Sequence, residues 1–412
     1  MRLADLCDCV GVQIDPSAGG SKLYVGLEHI DSGRFICRNM GRSDEVQSAK
    51  FSFQPGDILY GKLRPYLDKA VLAADHGICT TELLVLRPKD GIDPQFLIGV
   101  VHSPDFVAHA VSGTTGSQHP RTSWTHISEF RIPAFTPPEM SLIARVVWRA
   151  HDALVANEEL TSKSLATKWA SLQTVMTGGV RGEPLKEESI GSVPASWHVN
   201  RLGEIAEIAY GAQAAVANAT DPSLGTLILT NVNLDLDGHI KLDKRRYYKI
   251  PVSHRERLSL KKGDVLFNWR SGSADHIGKT VYFDLDGDFT YSSFILRFRP
   301  HRSVTGSFLF WWLTHLRRIG FFTAQRNVSS INSVYNASLS ATIPIWFPEN
   351  DEQNEIVGIL DGINSKIDLH RRKAASLDEL LKILLHKLMT GQIRTADLDM
   401  PQFVDDSVVE AA

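Results

Sequence analysis

Residues 55–73 read PGDILYGKLRPYLDKAVLA, and a related stretch, KGDVLFNWRSGSADHIGKTVYFD, occupies residues 262–284. Each stretch begins with a Gly-Asp pair and continues as a short apolar run, which is typical of a turn that leads into a β-strand. Lys69 in the first stretch corresponds to Lys279 in the second. This correspondence indicates that part of the chain is written twice.

Three further pairs of matching segments support the duplication. They are RIPAFTPPE (131–139) with TIPIWFPEN (342–350), VMTGGVRG (175–182) with LMTGQIRT (388–395), and RLADLC, from Arg2, with RLGEIA, from Arg201. The pairs keep the same order along the chain, at separations from 199 (Arg2 to Arg201) to 213 (Met176 to Met389). Because this period is far too long for a solenoid, the sequence predicts two copies of a two-part unit.

Both copies have the same internal plan. Short β-like runs, Gly/Asp turns and a few helical stretches predict a globular α+β domain in each. Prolines then introduce long helical patterns, from about Met140 to Thr177 and from about Asp351 to Thr390. Glycines at 178, 179 and 391 are expected to end these helices.

Apolar residues recur along both helical patterns at alternating three- and four-residue spacing. The second stripe is regular: Ile356, Leu360, Ile363, Ile367, His370, Ala374, Leu377, Leu381, Leu384 and Leu388. The first is less regular: Ile143, Val147, Ala150, Leu154, Asn157, Leu160, Leu165, Trp169, Leu172 and Met176. Two narrow stripes predict that the helices pack on each other. Asn157 and His370 either set the register of that packing or are tolerated in it.

Composition describes an ordinary globular protein whose charge is unevenly spread. The 412 residues are 43% hydrophobic and 22% charged, with a net charge of −3, and they suffice for two or three domains. Between Lys241 and Lys262 there are nine Lys or Arg residues and two acids, and between Arg297 and Arg326 six Arg and no acid. Two basic regions in one half of the chain favour nucleic acid as a partner.

Targeting signals and metal-ligand spacings are absent from the sequence. No apolar run reaches membrane-spanning length and the N-terminus lacks a signal-peptide pattern, so we expect a cytoplasmic protein with no membrane partner. The four cysteines, at positions 7, 9, 37 and 79, lack zinc-site spacing and are expected to be free or buried thiols.

The segment SGSADHIGKT, residues 271–280, ends like a phosphate-binding loop. Such a loop needs a Gly, four residues, then Gly-Lys-Ser/Thr, and a helix after it. Ser273 stands where the first Gly is required, and the β-branched and aromatic residues from Thr280 onward predict a strand. The segment is therefore predicted to be a loop between strands, and a P-loop-like NTPase is kept as an alternative function.

Over about residues 1–395 the sequence resembles the specificity subunits of type I restriction–modification enzymes. The resemblance rests on the ordered duplication and on GDILYGKLRPYLDK (56–69), SGTTGSQHPRTSW (112–124), PASWHVNRLGEI (194–205), and the IP before and MTG after each helix. It is weakest in the irregular first helix and at Gly179, where the second copy has Gln392.

The resemblance implies an α+β fold with two tandem target-recognition domains, each followed by a long spacer helix, the two helices packing as an antiparallel coiled coil. The implied segments are a first recognition domain (1–138), a first spacer helix (139–180), a linker (181–196), a second recognition domain (197–349), a second spacer helix (350–391) and an acidic tail (392–412).

The resemblance also implies a non-catalytic reader of double-stranded DNA. Each recognition domain would read half of a bipartite site. Two methyltransferase (modification) subunits and two motor–nuclease (restriction) subunits would be its protein partners. S-adenosylmethionine, ATP and Mg would be bound by those partners, and no cofactor by this chain. A coiled-coil scaffold without DNA contact is the second alternative.

Candidate DNA-binding residues are polar and basic groups in predicted loops, which suit phosphates, base edges and stacking. In the second domain they are Arg245, Arg246, Tyr247, Asn268, Arg270, Ser271, Ser273 and Lys279, and in the first Lys62, Arg64, Thr114, Thr115, Gln118 and Arg121. Lys279 is expected either to contact phosphate or to be a surface charge at a strand end.

No catalytic set is apparent in the sequence. An adenine methyltransferase needs an Asn/Asp-Pro-Pro-aromatic loop, whereas AFTPPEM (134–140) has Thr136 and Glu139 at the two decisive positions. Triad motifs, nucleophile elbows and glycine-rich cofactor loops were not found either. We therefore expect no catalytic activity and no metal site in this chain.

Overall fold

A computed structural model of the chain describes residues 1–16, 22–213, 219–271, 276–324 and 335–394. Ser273 and the acidic residues after Arg394 lie outside the described residues. The chain divides into two compact units: unit 1 is Met1–Thr161 together with the chain from Leu369 onward, and unit 2 is Ser162–Asp368. Each unit therefore contains a globular part and portions of both long helices.

Among the described residues of unit 1, nine short strands and four short α-helices precede the first long helix. In chain order these are α1 (Leu3–Leu6), β1 (Cys7–Cys9), β2 (Gln13–Ile14), β3 (Leu23–Val25), β4 (Gly41–Arg42), β5 (Lys50–Phe53), β6 (Ile58–Gly61), β7 (Ala70–Leu72), β8 (Gly77–Cys79), β9 (Leu83–Pro88), α2 (Pro94–Val101), α3 (Pro104–Ser112), α4 (Trp124–Ile127) and the long helix α5 (Pro137–Gly178), whose residues from Ser162 onward belong to unit 2.

Unit 2 repeats this succession of strands and helices. It contains β10 (Leu185–Glu188), β11 (Gly191–Pro194), β12 (His198–Arg201), α6 (Leu202–Ile205), β13 (Ala206–Tyr210), β14 (Thr226–Leu229), β15 (Tyr247–Tyr248), α7 (Arg255–Leu258), β16 (Val265–Asn268), β17 (Thr280–Tyr282), β18 (Phe289–Tyr291), β19 (Ile295–Pro300), α8 (Gly306–Arg318), α9 (Phe321–Ala324), α10 (Ala337–Ser340), β20 (Pro344–Phe347) and the first part of the long helix α11 (Asn350–Met389).

Equivalent sheets lie in the two units. The four-stranded antiparallel sheet has the order β1-β9-β6-β7 in unit 1 and β13-β19-β16-β17 in unit 2. The second sheet has the order β2-β5-β8-β3-β4 in unit 1 and β15-β14-β18 in unit 2. Each second sheet contains one parallel pair, β3 with β8 and β14 with β18. The predicted mixture of helices and strands is confirmed.

The repeated Gly-Asp pair makes equivalent contacts beside the four-stranded sheet of each unit. In unit 1, Gly56 has φ 88°, a left-handed conformation that glycine adopts without strain. The buried carboxylate of Asp57 accepts a hydrogen bond of 2.9 Å from the Gln54 N–H and two of 2.8 Å from the Arg87 guanidinium. Arg87 lies on β9, so the carboxylate ties the turn before β6 to the neighbouring strand.

Unit 2 has the same arrangement. Gly263 has φ 96°. The buried Asp264 accepts 2.7 Å from the Lys261 N–H, and 2.7 and 2.8 Å from the guanidinium of Arg299 on β19. Bidentate pairs of this kind hold one geometry. The two copies of the Gly-Asp pair therefore form the same hydrogen bonds, each within its own unit.

The two long helices begin and end close to the predicted residues. Helix α5 starts at Pro137, where proline is well suited because the first helical N–H has no partner within the helix. Gly179 (φ 62°) follows α5, and Gly391 (φ 69°) follows α11 by two residues. These left-handed glycines end the helices as predicted, whereas Gly178 is the last residue of α5 itself.

Most of the predicted apolar stripe is buried. Ile356, Leu360, Ile367, Leu381 and Leu388 of α11, and Ile143, Val147, Leu154, Leu172 and Met176 of α5, are at most 3% exposed. The stripe on α5 is wrong at one position, because Leu160 is 48% exposed. Lys168 is 1% exposed instead, and its ammonium lies 2.6 Å from Asn364 Oδ1 and 4.9 Å from the Trp169 ring centre. Lys168 is therefore buried because its ammonium has both an amide and an aromatic partner, although hydrophobicity alone would predict that it is exposed.

Residues 181–196, predicted as a linker, contain the antiparallel hairpin of β10 and β11. Val193 in β11 is fully buried, and Lys186 Nζ donates 2.8 Å to the Trp197 carbonyl. In the part of the chain that the structure describes, no helix has both the length and the apolar character needed to cross a membrane.

Candidate nucleic-acid interface

Two loops of unit 1 bring together most of the candidates predicted there. Lys62 and Arg64 follow β6, while Thr115 and Arg121 lie in the loop between α3 and α4. Thr115 and Arg121 exchange backbone hydrogen bonds of 3.0 Å, and Arg64 N donates 2.7 Å to the Pro120 carbonyl. These pairs hold the two loops edge to edge, as one polar surface.

Arg64 is the most strained residue of this surface. Its φ of 51° and ψ of 62° are left-handed, a conformation that is unfavourable for a residue other than glycine and more so before a proline. Its Nε is buried and has no hydrogen-bond partner among the described residues. Strain and an unsatisfied donor in one side chain are characteristic of a functional position.

The other candidate side chains of unit 1 differ in how accessible they are to a phosphate or a base edge. Arg121 is held by Glu82 through hydrogen bonds of 2.9 and 3.2 Å, so a phosphate would have to compete with that carboxylate. The Thr114 hydroxyl donates 2.9 Å to the Val111 carbonyl. Thr115 and Gln118 are exposed, and Lys62 is half-buried. Thr115 and Gln118 are thus the freely accessible polar groups of the set.

In unit 2, Arg245, Arg246 and Tyr247 lie at and just before β15. The side chains of Arg245 and Arg246 donate to the carbonyls of Leu242 (3.2 Å) and Arg245 (2.8 Å). Tyr247 pairs with Leu227 of β14 and is half-buried. The Arg245 side chain is exposed and the Arg246 side chain half-buried, while the Tyr247 ring is only partly available for stacking.

The segment that resembles a phosphate-binding loop connects β16 to β17, which pair antiparallel. No helix follows Lys279, since Thr280 begins a strand. The predicted loop between strands is confirmed, and the P-loop-like alternative is not supported. Lys279 as a surface charge was wrong: it is 6% exposed, and its Nζ donates 2.9 Å to the Asn231 carbonyl. Burial lowers the pKa of the Lys279 ammonium.

Lys69, the counterpart of Lys279, makes the same kind of contact in unit 1. Its Nζ donates 2.6 Å to the Leu27 carbonyl. Leu27 and Asn231 each follow one strand of the parallel pair in their own unit. Both lysines therefore tie the strand after the loop to the second sheet, which is a structural role that spacing alone did not reveal.

Two asparagines of unit 2 face a cavity of about 600 Å³ that is also lined by Ser271, His276 and Lys279. Asn268 Nδ2 donates 2.9 Å to the His276 carbonyl, and Asn231 Nδ2 donates 3.1 Å to the Arg270 carbonyl. Because a carbonyl can only accept, these bonds fix the orientation of both amides. Each Oδ1 is buried and has no partner among the described residues. The cavity is thus lined by two residues with buried, unpaired amide oxygens, and Asn268, predicted as an exposed base contact, is 0% exposed.

Sequence reasoning predicted Asn268 but missed Asn231, which precedes it by 37 positions. Val232 and Leu236, which are 65% and 47% exposed, also line the cavity. Arg270 is exposed, as predicted, and its guanidinium lies 5.4 Å from the ring centre of Phe294, which is 45% exposed. The exposed pair of Arg270 and Phe294 is a stacking surface that was not predicted. Ser273 remains a prediction outside the described residues.

His, Cys, Asp and Glu side chains, which could bind a metal ion, occur throughout the described ranges. Within them, no group of three or more His, Cys, Asp or Glu side chains could hold a metal ion. Cys7 and Cys79 are buried free thiols, and burial raises the pKa of each to about 12.

Comparison with known proteins places this geometry in context. Residues 194–379 match the family model described as type I restriction modification DNA specificity domain. The chain is 26% identical over 185 residues to the type I restriction enzyme EcoDI specificity subunit of Escherichia coli, covering 44% of this chain and 41% of that protein. It is 28% identical over 215 residues to a putative type I restriction enzyme MjaX specificity subunit of Methanocaldococcus jannaschii, covering 50% and 49%. The matched stretches thus span about half or less of these relatives.

Solved structures share the fold over nearly the whole chain. A structure described for complex assembly and conformational transition of the type I R-M system aligns with a TM-score of 0.59 at 20% identity, covering 95% of this chain and 97% of that one. The type I restriction–modification S subunit from M. genitalium aligns with a TM-score of 0.58 at 14% identity, covering 94% and 95%. Together with the family match, these similarities confirm the resemblance found in the sequence.

Proposed function

We propose that the chain is the DNA-reading subunit of a type I restriction–modification enzyme, because residues 194–379 match the family model described as type I restriction modification DNA specificity domain. The family match carries this proposal. It covers the basic segment before β15, the β16–β17 loop and the cavity between Asn231 and Lys279. The polar surface of unit 1, which lies outside the match, would read the other half of a bipartite site.

Phosphate binding and base reading would fall to different groups. Arg245, Arg246 and Arg64 would contact phosphates, which supply affinity without sequence information. The Asn231 and Asn268 oxygens would accept hydrogen bonds from base edges, and Thr115 and Gln118 would do so in unit 1. The two recognition domains would span residues 1–138 and 197–349.

The long helices would pack as an antiparallel coiled coil that sets the distance between the half-sites. Contacts inside each unit support this packing. In unit 2, Lys168 lies against Asn364, and Val180 N donates 2.9 Å to Glu352 Oε1, so α11 residue numbers fall as those of α5 rise. In unit 1, Asn157 meets His370.

Partner subunits would catalyse the methylation and the cleavage of DNA. Two methyltransferase subunits holding S-adenosylmethionine would methylate adenine, and two motor–nuclease subunits using ATP and Mg would cut DNA. Exposed apolar side chains on α11, among them Leu369 (58%), Leu380 and Ile383 (45% each), suit docking by such partners, since large apolar side chains on an outer helix face commonly mark an interface. The chain itself would be non-catalytic.

Methylome sequencing of cells with and without the gene, in the presence of the partner methyltransferase, tests the proposal. We expect one bipartite adenine-methylated motif that disappears with the gene. Replacing residues 1–131 by the equivalent domain of a relative should change one half of that motif only. Methylation by the purified chain alone, a motif that persists without the gene, or a swap that changes both halves would contradict the proposal.

A further inference from the structure

We propose that Arg34 is a positioning residue that fixes the first recognition domain on both long helices and thereby restricts the gap between the two half-sites. This inference rests on the proposed function. It concerns a side chain whose hydrogen bonds go to Glu158, Asp378 and the Gly33 carbonyl, and to none of the candidate DNA-binding residues.

The Arg34 guanidinium bridges two helices with one planar group. Nη2 and Nε donate 2.6 and 3.3 Å to the two Glu158 oxygens on α5, and Nη1 donates 3.2 Å to Asp378 Oδ1 on α11. All three residues belong to unit 1. The Arg34 side chain is only 19% exposed, so these charge-assisted bonds are partly shielded from solvent and keep a defined geometry.

The next residue, Phe35, supplies a second anchor on α5. Its ring stacks on His151 with centres 4.3 Å apart, and its N–H donates 3.1 Å to His151 Nε2. Since an N–H can only donate, Nε2 accepts and the imidazole is neutral, in keeping with burial that lowers the pKa of His151 to about 4. Phe35 also belongs to one buried apolar cluster that joins the domain to α5 and α11. Because apolar packing is non-directional, it permits small rotations of the domain.

Arg34 adds the contacts that oppose such a rotation. The planar guanidinium of Arg34, a fork of N–H donors, contacts α5 and α11 at the same time. The single ammonium of a lysine could not do so with comparable geometry. A movement of about 3.4 Å along DNA corresponds to one base pair, so small rotations of a recognition domain would change the gap that it accepts. A domain held by the Arg34 fork would accept one gap. A domain held only by the apolar cluster and the Asp105–His386 contact, at 2.6 Å, would also accept neighbouring gaps.

Arg34→Met is the decisive variant, because it removes the charge and keeps the length of the side chain. Arg38→Met is the matched control, since Arg38 lies in the same segment but contacts only Glu159 of α5, at 3.4 Å. Both are made in the full chain with its partner methyltransferase. Plasmids carry the two half-sites at the wild-type gap and at gaps one base pair shorter and longer, and methylation of each is measured.

We expect wild type and Arg38→Met to methylate one gap. In Arg34→Met, methylation at the neighbouring gaps should rise roughly ten-fold relative to the wild-type gap, equivalent to about 1.4 kcal/mol of lost discrimination. Glu158→Gln and Asp378→Asn, which each remove one arm, should give smaller increases. If Arg34→Met does not fold, Arg34→Lys should still broaden the gap, by less than full removal.

An equal loss of methylation at every gap would show that Arg34 only stabilises the fold, and would overturn the inference. So would an equal broadening by Arg38→Met. A wild-type chain that directs no methylation at all would instead overturn the proposed function, and this inference with it.

Discussion

Asn157 and His370 hydrogen-bond to each other although 213 residues separate them. Asn157 Nδ2 donates 2.6 Å to the His370 carbonyl, and His370 Nδ1 lies 3.0 Å from Asn157 Oδ1. Because an amide oxygen only accepts, the His370 proton must be on Nδ1. Asn157 is 3% exposed. The two residues are therefore reciprocal partners that fix α5 against α11 in one register, rather than polar groups tolerated separately.

Replacing Asn157 by Leu should destabilise the chain by about 1–3 kcal/mol, because it removes both hydrogen bonds to the half-buried His370. Urea unfolding of the full chain measures the change. Leu160→Ala, at an exposed position of the same helix, should stay within about 0.5 kcal/mol of wild type. Equal stability of Asn157→Leu and wild type would contradict the assigned pairing.

Replacing Asn231 by Ala should relax base choice at one position of the half-site read by unit 2. The variant removes an unpaired, buried amide oxygen of a residue that lines the cavity, and a single base contact is worth about 1–3 kcal/mol of discrimination. Methylome sequencing reads both halves of the motif at once, so the other half is an internal control. Asn200→Ala, at a side chain bonded only to Glu204, should leave the motif intact. An unchanged motif in Asn231→Ala would remove this residue from the interface.

His315 should make the stability of unit 2 depend on pH. Burial lowers the pKa of His315 to about 4, below the unfolded value of about 6.5. The unfolded chain therefore binds the proton first, so the stabilisation is fully present above about pH 6.5 and is lost as the pH falls towards 4. The loss should reach about 3 kcal/mol.

Unfolding of wild type and His315→Phe at pH 7 and pH 4 measures this effect. The variant should lose less stability than wild type over the interval, because it has no imidazole to protonate at that position. His301→Gln, at an exposed residue, should behave as wild type. Identical pH dependence of wild type and His315→Phe would show that the imidazole is not held neutral.

Lengthening α5 should lengthen the gap between the half-sites. A second copy of residues 173–176 inserted before Thr177 adds about one turn, or 5.4 Å, which is between one and two base pairs at about 3.4 Å each. The methylated motif should keep its bases and gain one base pair, or two, in its gap. An unchanged gap with full activity would show that the helices do not set the distance, and changed bases would indicate a movement of the recognition domains on DNA.

Local patterns in the sequence were sufficient to predict the repeated turns and both long helices. The Gly-Asp pairs before β6 and β16 predicted equivalent turns, since a left-handed glycine and a capping carboxylate act within three residues of each other. Apolar periodicity predicted both long helices to within a few residues, because helix hydrogen bonds are local. The ordered repetition of these signals led to the family resemblance that the comparisons confirmed.

Contacts between residues distant in sequence determine which side chains are buried and which polar groups pair. Lys279 is buried because the Asn231 carbonyl, 48 residues away, accepts a hydrogen bond from its ammonium. Arg34 pairs with carboxylates that lie 124 and 344 residues away. Lys168 is buried because Asn364 on α11 accepts a hydrogen bond from its ammonium and the Trp311 ring on α8 lies 5.2 Å from it. The sequence alone determined which segments form turns, strands and helices, whereas burial and polar pairing depend on the neighbours that only folding brings together.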